Sequence, residues 1–192
     1  MIKTVLITLS TAAILTMSGC AGSSAAMTTQ MVDFKGTPVK LSGNLVSVGD
    51  DAPTATVVTK SLKEKVVGGK SEKTQILVIV PSVDTPTCDL ETRTFNEKVS
   101  EIKNADLTII SVDTPFALKR FCAAKGIDNI TVASDFRYHE IAKKYGVLVD
   151  SGLIKGVLAR SIFVIKDGKV VYKQLVGEIS AEPDYDAVLK AI

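Results

Sequence analysis

Residues 31–192 predict an α/β domain: a central mixed sheet with helices on both faces, preceded by an N-terminal β-hairpin. Three observations carry that prediction. The run Ile76 to Val80 is continuously aliphatic and largely β-branched, the mark of a strand buried on both faces. Strand-like and helix-like segments alternate after it. The C-terminal part then changes to two strands joined by Lys166-Asp167-Gly168-Lys169, a hairpin signal.

Taken in order, VDFKGTPVKL reads as the N-terminal hairpin, with turn chemistry at Lys35-Gly36-Thr37. Pro38 has no N–H to give a ladder and is confined to an edge position. ATVVTKSLKEKVV supplies another strand pair, and the buried strand from Ile76 follows. A helix then runs from about Pro86 to Lys103, followed by the buried strand LTIISV and a helix opening at Thr114-Pro115. A short strand around ITVAS leads to a helix in RYHEIAKKYG, closed by Gly146. The hairpin SIFVIKDGKVVYKQLV and a last helix beginning near Glu182-Pro183 complete the chain. Strand-helix-strand followed by a hairpin and a helix is the thioredoxin-like order. No internal repeat and no second linker interrupt it, so residues 31–192 form one domain.

The 192 residues are 46% hydrophobic and 23% charged, with a formal net charge of +2, enough for one domain with a sizeable core. That balance, with scattered lysines and no interleaving of aromatics and basic residues, argues against nucleic acid as a partner. The N-terminus is different. Lys3 precedes VLITLSTAAILTM, an apolar segment too short to span a bilayer comfortably, and then small residues, so residues 1–19 read as an export signal. Met17-Ser18-Gly19-Cys20 resembles a bacterial lipobox, in which the cysteine after the cut carries lipid, although Met17 stands where leucine is usual. A plain cleaved signal and an uncleaved anchor are the alternatives. Residues 20–30 read as a flexible tether, which places the domain on the bacterial cell envelope, lipid-anchored and facing the periplasm or exterior.

Of three cysteines, a lipidated Cys20 leaves Cys88 and Cys122 in the mature domain. Export makes a structural disulfide between them one reading. Two cysteines and the lone His139 have no ligand spacing, so neither a metal nor a cofactor is expected, and His139 reads as a solvated residue.

Cys88 points to chemistry. If Thr85 caps the helix and Pro86 takes its first position, Cys88 lies in the first turn, where free N–H groups and the helix dipole favour an anion. Cysteines so placed have lowered pKa values in general, which raises the thiolate fraction at neutral pH by roughly thirtyfold, about 2 kcal/mol. An efficient enzyme needs about a millionfold or more, so the site also requires donors for the charge that develops on the substrate. Thr85 can bring its hydroxyl over the helix end, and Pro81 can wall off water. Among the four arginines, Arg160 is best placed, directly before the buried strand SIFVI. Asp84 reads as a turn or cap residue, Arg93 and Arg120 as solvated or paired helix residues, and Tyr145 as packing.

PSVDTPTC carries the P-x-x-x-T-x-x-C motif of peroxiredoxins, and the wider chain resembles their thiol peroxidase branch, an atypical two-cysteine type. The hairpin VDFKGTPVKL, the segments TRTFNE, DTPFALKRFCAAKGI and GLIKGVLARS, and the ending EISAEPDYDAVLKAI share the resemblance. It implies that Cys88 is the peroxidatic cysteine, that Pro81 and Thr85 complete its motif, that Arg160 holds the thiolate and peroxide oxygens, and that Cys122 resolves. On pattern alone Cys122 reads rather as a core residue, sharing a helix face with Leu118 and Phe121, and it is the resemblance of the whole segment that reverses this. The resemblance further implies reduction of hydrogen peroxide and organic hydroperoxides, a thioredoxin-like dithiol reductant and a homodimer. Export is the departure from the family, whose usual members are cytoplasmic. Two alternatives remain: an envelope thiol-disulfide oxidoreductase, disfavoured because no C-x-x-C pairs the cysteines, and a non-enzymatic binding domain with a structural Cys88–Cys122 bridge.

Overall fold

The computed structural model describes residues 30–98 and 104–192. The expected signal peptide, Cys20 and residues 20–29 of the tether lie outside the described residues, as does the predicted helical stretch 99–103.

β1 (Met31–Phe34) and β2 (Thr37–Ser42) form the expected hairpin. Lys35 and Gly36 both have positive φ, 52° and 75°, the two-residue turn whose twist matches that of the strands. Thr37 therefore leaves the turn expected for it and starts β2 opposite Phe34. β2 is the middle strand of a three-stranded sheet, but its second neighbour, β8 (Leu148–Val149), pairs only with Leu41 and Ser42. Pro38 thus keeps an open edge beside it, as its missing N–H requires. β8 is too short to have a sequence period and was not expected.

The main sheet has seven strands: β3 (Ala55–Thr59), β4 (Glu64–Val67), β5 (Thr74–Ile79), β6 (Ala105–Ser111), β7 (Thr131–Ser134), β9 (Ser161–Lys166) and β10 (Lys169–Leu175). Their order is β10-β9-β5-β6-β7-β3-β4. The β5–β6–β7 pairs are parallel and the remainder antiparallel, which is the mixed sheet expected. Parallel pairing needs crossovers, and α1 (Pro86–Lys98) and α2 (Pro115–Lys125) lie in those connections. Thr114 caps α2 by accepting from the Ala117 N–H, and Gly126 ends it at φ 66°.

Alternation along the β5 segment assigns its side chains to two cores. Ile76, Val78 and Val80 pack in one apolar cluster with Cys88 and Phe95 of α1, Leu118 and Cys122 of α2, and Val188 of α4 (Tyr185–Lys190). Leu77 and Ile79 pack in the other, with Tyr145, Phe163 and with Ile141 and Ala142 of α3 (Glu140–Lys144). Helices therefore cover both faces, and the thioredoxin-like reading holds. Both later helices start further on than the sequence indicated. His139 has a positive φ of 52°, and the Asp135 carboxylate accepts from the Ile141 and Ala142 N–H groups, so α3 begins only at Glu140. Asp184 rather than Glu182 caps α4, accepting from the Ala187 N–H. Among the described residues no helix is long and apolar enough to cross a membrane.

Candidate active site at the start of α1

The Pro81–Thr85 loop follows the carboxyl end of β5 and is tied to the end of the neighbouring β6. Asp113, just past β6, accepts from the Ser82 hydroxyl (2.9 Å), the Val83 N–H (2.8 Å) and the Ser111 hydroxyl (2.7 Å). The Asp89 N–H donates to the Thr85 carbonyl at 2.9 Å, closing the first turn of α1 with Thr85 as its cap. Cys88, wholly buried, is therefore in that first turn, as the capping pattern predicted.

Two donors converge on its sulfur. The Thr85 hydroxyl lies 2.8 Å from Cys88 Sγ, and Arg160 Nη2 lies 3.2 Å away. The Cys88 N–H also donates to Thr85 Oγ1 at 3.4 Å. Arg160, 1% exposed, is fixed at its other nitrogens: Nε donates to the Ile179 carbonyl at 2.9 Å, and Nη1 pairs with Glu91 Oε2. The guanidinium is thus a planar fork with each prong assigned.

Glu91 is the residue at this site that sequence reasoning missed. It is wholly buried on the Cys88 face of α1, and its Oε1 has no hydrogen-bond partner. Burial pushes its carboxyl up to about 7, opposed by the charge and hydrogen bond of Arg160 and reinforced by the charge of Glu182. Its three-residue spacing from Cys88 was the one available signal, since such positions share a helix face.

A cavity of about 400 Å³ opens beside Thr85 and Arg160, the two donors to the sulfur, while Cys88 itself lies buried behind them and does not line it. Pro81, Thr85 and Arg160 line it together with the apolar side chains of Phe34, Val157 and Ile179, so the three residues singled out beside Cys88 do meet around one space. Cys122 does not line this cavity. It lies on α2 in the same apolar cluster as Cys88 and borders a separate pocket with Lys60 and Asp128; both cysteines are free thiols. Burial pushes the Cys122 thiol up, opposed by Lys60 and reinforced by Asp128. A cleft between the start of α1 and the end of α2 is lined by Thr85, Pro86 and Phe121, and Lys125 pairs with Asp89 at 2.9 Å across it.

The remaining marked residues follow the plain reading. Arg93 pairs with Asp89, Arg137 with Glu64, His139 is exposed, and Tyr145 is buried with its hydroxyl donating to the Pro53 carbonyl. Among the described residues no cluster of three or more histidine, cysteine or acidic side chains is arranged to hold a metal ion.

Residues 47–189 match the family model described as Redoxin. A thiol peroxidase from Aquifex aeolicus is 52% identical over 162 residues, spanning 84% of this chain and 95% of that protein. One from Campylobacter jejuni is 51% identical over 80% of this chain and 87% of its own length. The crystal structure of a peroxiredoxin-like protein from Aquifex aeolicus superposes with a TM-score of 0.81 at 53% identity, covering 83% of this chain and 94% of its own. With the P-x-x-x-T-x-x-C loop folded around a buried thiol and an arginine, the chain belongs to the redoxin family, in the thiol peroxidase group of the peroxiredoxins.

Proposed function

We propose that this thiol-dependent peroxidase reduces hydrogen peroxide and organic hydroperoxides through Cys88, with Cys122 as the resolving thiol. The supporting observation is the pair of donors on the Cys88 sulfur, Thr85 Oγ1 and Arg160 Nη2, at the edge of a cavity walled by Pro81. The Cys88 thiolate attacks the near oxygen of the hydroperoxide; an S–O bond forms, the O–O bond breaks, and the departing oxygen takes a proton to leave as water or an alcohol. Thr85 and Arg160 aim donors at the atoms where that negative charge moves, which is how preorganised sites accelerate such steps. The Cys122 thiol then displaces hydroxide from the Cys88 sulfenic acid, giving a disulfide and water. A thioredoxin-type dithiol reduces it and is itself oxidised. Peroxide consumption by purified protein with a dithiol present, and its loss in Cys88→Ser, test the assignment; an active Cys88→Ser variant rejects it.

The envelope reading is part of the same proposal. Lys3, the apolar segment after it and the Met17-Ser18-Gly19-Cys20 boundary support removal of residues 1–19, lipid on Cys20, a tether over 20–30 and a domain over 31–192. The reductant would then be an envelope thioredoxin-like protein. Mass spectrometry of membrane fractions should find a mature chain beginning at acylated Cys20; an unmodified Cys20 or an intact Met1 terminus refutes this. The homodimer rests on the family resemblance, and sedimentation of the purified chain tests it.

A further inference from the structure

The wall of the cavity beside Thr85 and Arg160 is assembled from parts far apart in sequence, and one side chain joins them. The turn at Lys35-Gly36 and the segment 177–181 both contribute to it, through Phe34 and Lys35 on one side and Ile179 and Ser180 on the other. Glu178 accepts from the Lys35 N–H at 3.1 Å and the Gly36 N–H at 3.2 Å, one to each carboxylate oxygen. The same carboxylate accepts from the Ser180 N–H at 3.0 Å and from the Ser180 hydroxyl. Paired backbone N–H groups in a turn of positive φ form an anion-binding concavity, and here a side chain of the chain itself fills it.

The 177–181 segment is held to α1 as well, because the Thr87 hydroxyl donates to the Ser180 carbonyl at 3.0 Å. Its backbone is bonded to β1 independently of the Glu178 side chain, through Asp33 N–H to Gly177 O and Ile179 N–H to Asp33 O. Arg160 takes its carbonyl partner from Ile179, next to one of those backbone bonds. With the Ile179 backbone held by Asp33 and its carbonyl by Arg160, the Glu178 carboxylate bears on where the Lys35-Gly36 turn and the adjoining Phe34 stand more than on Arg160 or Cys88.

We propose that Glu178 is a positioning residue for substrate selectivity: by clamping the Lys35-Gly36 turn to the 177–181 segment, it holds the apolar wall against which the carbon substituent of an organic hydroperoxide packs. The inference rests on the peroxidase reading above and adds to it. Hydrogen peroxide has no such substituent and needs only the Cys88, Thr85 and Arg160 constellation. Multiple hydrogen bonds hold the Glu178 carboxyl down to about 2, so the clamp stays charged across the assay range.

The test compares full-length wild type, Glu178→Ala and Glu178→Gln with hydrogen peroxide and with cumene hydroperoxide, using excess dithiothreitol as reductant. Glu178→Ala should lower kcat/KM for cumene hydroperoxide by about tenfold, mainly through KM, while hydrogen peroxide changes by less than about twofold, the scale expected when apolar contacts in a pocket are misplaced. Glu178→Gln keeps one carbonyl acceptor and should fall between. Phe34→Ala, which removes wall and not clamp, should reproduce the selectivity change. An equal loss on both peroxides in Glu178→Ala overturns the proposal in favour of general structural damage. An active wild type whose variants keep the parental ratio overturns it alone. A wild type that turns over neither peroxide overturns the peroxidase reading and this inference with it.

Discussion

Arg160→Lys separates geometry from charge at this site. The native guanidinium makes three directed contacts, to the Ile179 carbonyl, to Glu91 and to the Cys88 sulfur, at 1% exposure. An ammonium has one nitrogen on a flexible stem and cannot span those three acceptors. Removing one preorganised donor from a site of developing charge costs about 10² to 10³ in kcat, roughly 2.7–4 kcal/mol. Kinetics should therefore show kcat/KM for peroxide falling at least about a hundredfold, although the formal charge is kept. Leaving the Ile179 carbonyl without its donor should cost about 1 kcal/mol of stability, a shift in Tm of a few degrees, so the variant remains folded. Peroxide consumption under excess dithiol, with circular dichroism as the folding control, measures both. Turnover within about threefold of the parent would refute the reasoning, since the loss expected from a missing donor is far larger.

The other expectations concern neighbouring groups. Cys88→Ser should have no measurable turnover, because serine forms neither thiolate nor sulfenic acid at neutral pH; residual activity beyond a trace refutes Cys88 as nucleophile. Cys122→Ser should react once and accumulate a single added oxygen on Cys88 by intact mass, progressing to sulfinic acid with excess peroxide. If Cys122 instead served a structural bridge, the same change would cost roughly 2–4 kcal/mol of stability and trap no oxidised species. Glu91 has a folded value of about 7, above its ordinary 4.5, so the stability it carries is full below pH 4.5 and is lost as pH rises through 7. Wild type should therefore lose about 3 kcal/mol relative to Glu91→Gln between pH 4 and pH 8 in denaturant unfolding; a pH-independent difference refutes the buried carboxyl as the cause.

The placement of Cys88, Thr85 and Pro81 around one helix start was legible in the sequence because their relation is local. A strand end, a capping threonine, a proline and a thiol within eight residues determine a helix start almost alone. Arg160 was legible for a weaker reason, its place directly before the buried strand β9. Glu91 was not legible, because a glutamate in a helix is ordinarily solvated, and only Arg160, distant in sequence but brought in at the start of β9 beside β5, gives it a buried partner. Glu178 was hidden for a similar reason, its amide partners lying in a turn near the other end of the chain. β8 has two residues and so no period to detect. The late start of α3 comes from the Asp135 carboxylate, whose reach to two amides of the first turn no propensity records.

On the proposed reaction, the same helix start serves two chemical steps with opposed demands. Attack on peroxide favours an intact first turn, because Thr85 Oγ1 and the Arg160 fork meet the sulfur only where Pro86 to Asp89 are wound. Resolution requires the Cys88 and Cys122 Cα atoms to come within about 7 Å, with their side chains directed at one another. The two begin on different helices, each buried and each a free thiol, and the Asp89–Lys125 pair ties α1 to α2 beside them. That pair is partly exposed, and contacts of this kind contribute about 0–1 kcal/mol, so it restrains the cleft without locking it. The buried Thr92 hydroxyl, donating to the Cys88 carbonyl at 2.7 Å, and Phe95 hold the next turn more firmly. On the proposed cycle, local opening would fall to the first turn, exposing Cys88 while Phe95 stays packed. A substitution that rigidifies this turn would favour the first oxidation and delay the disulfide, leaving the sulfenic acid open to a second peroxide. On the proposed cycle, opening of residues 85–89 would thus be a step of resolution.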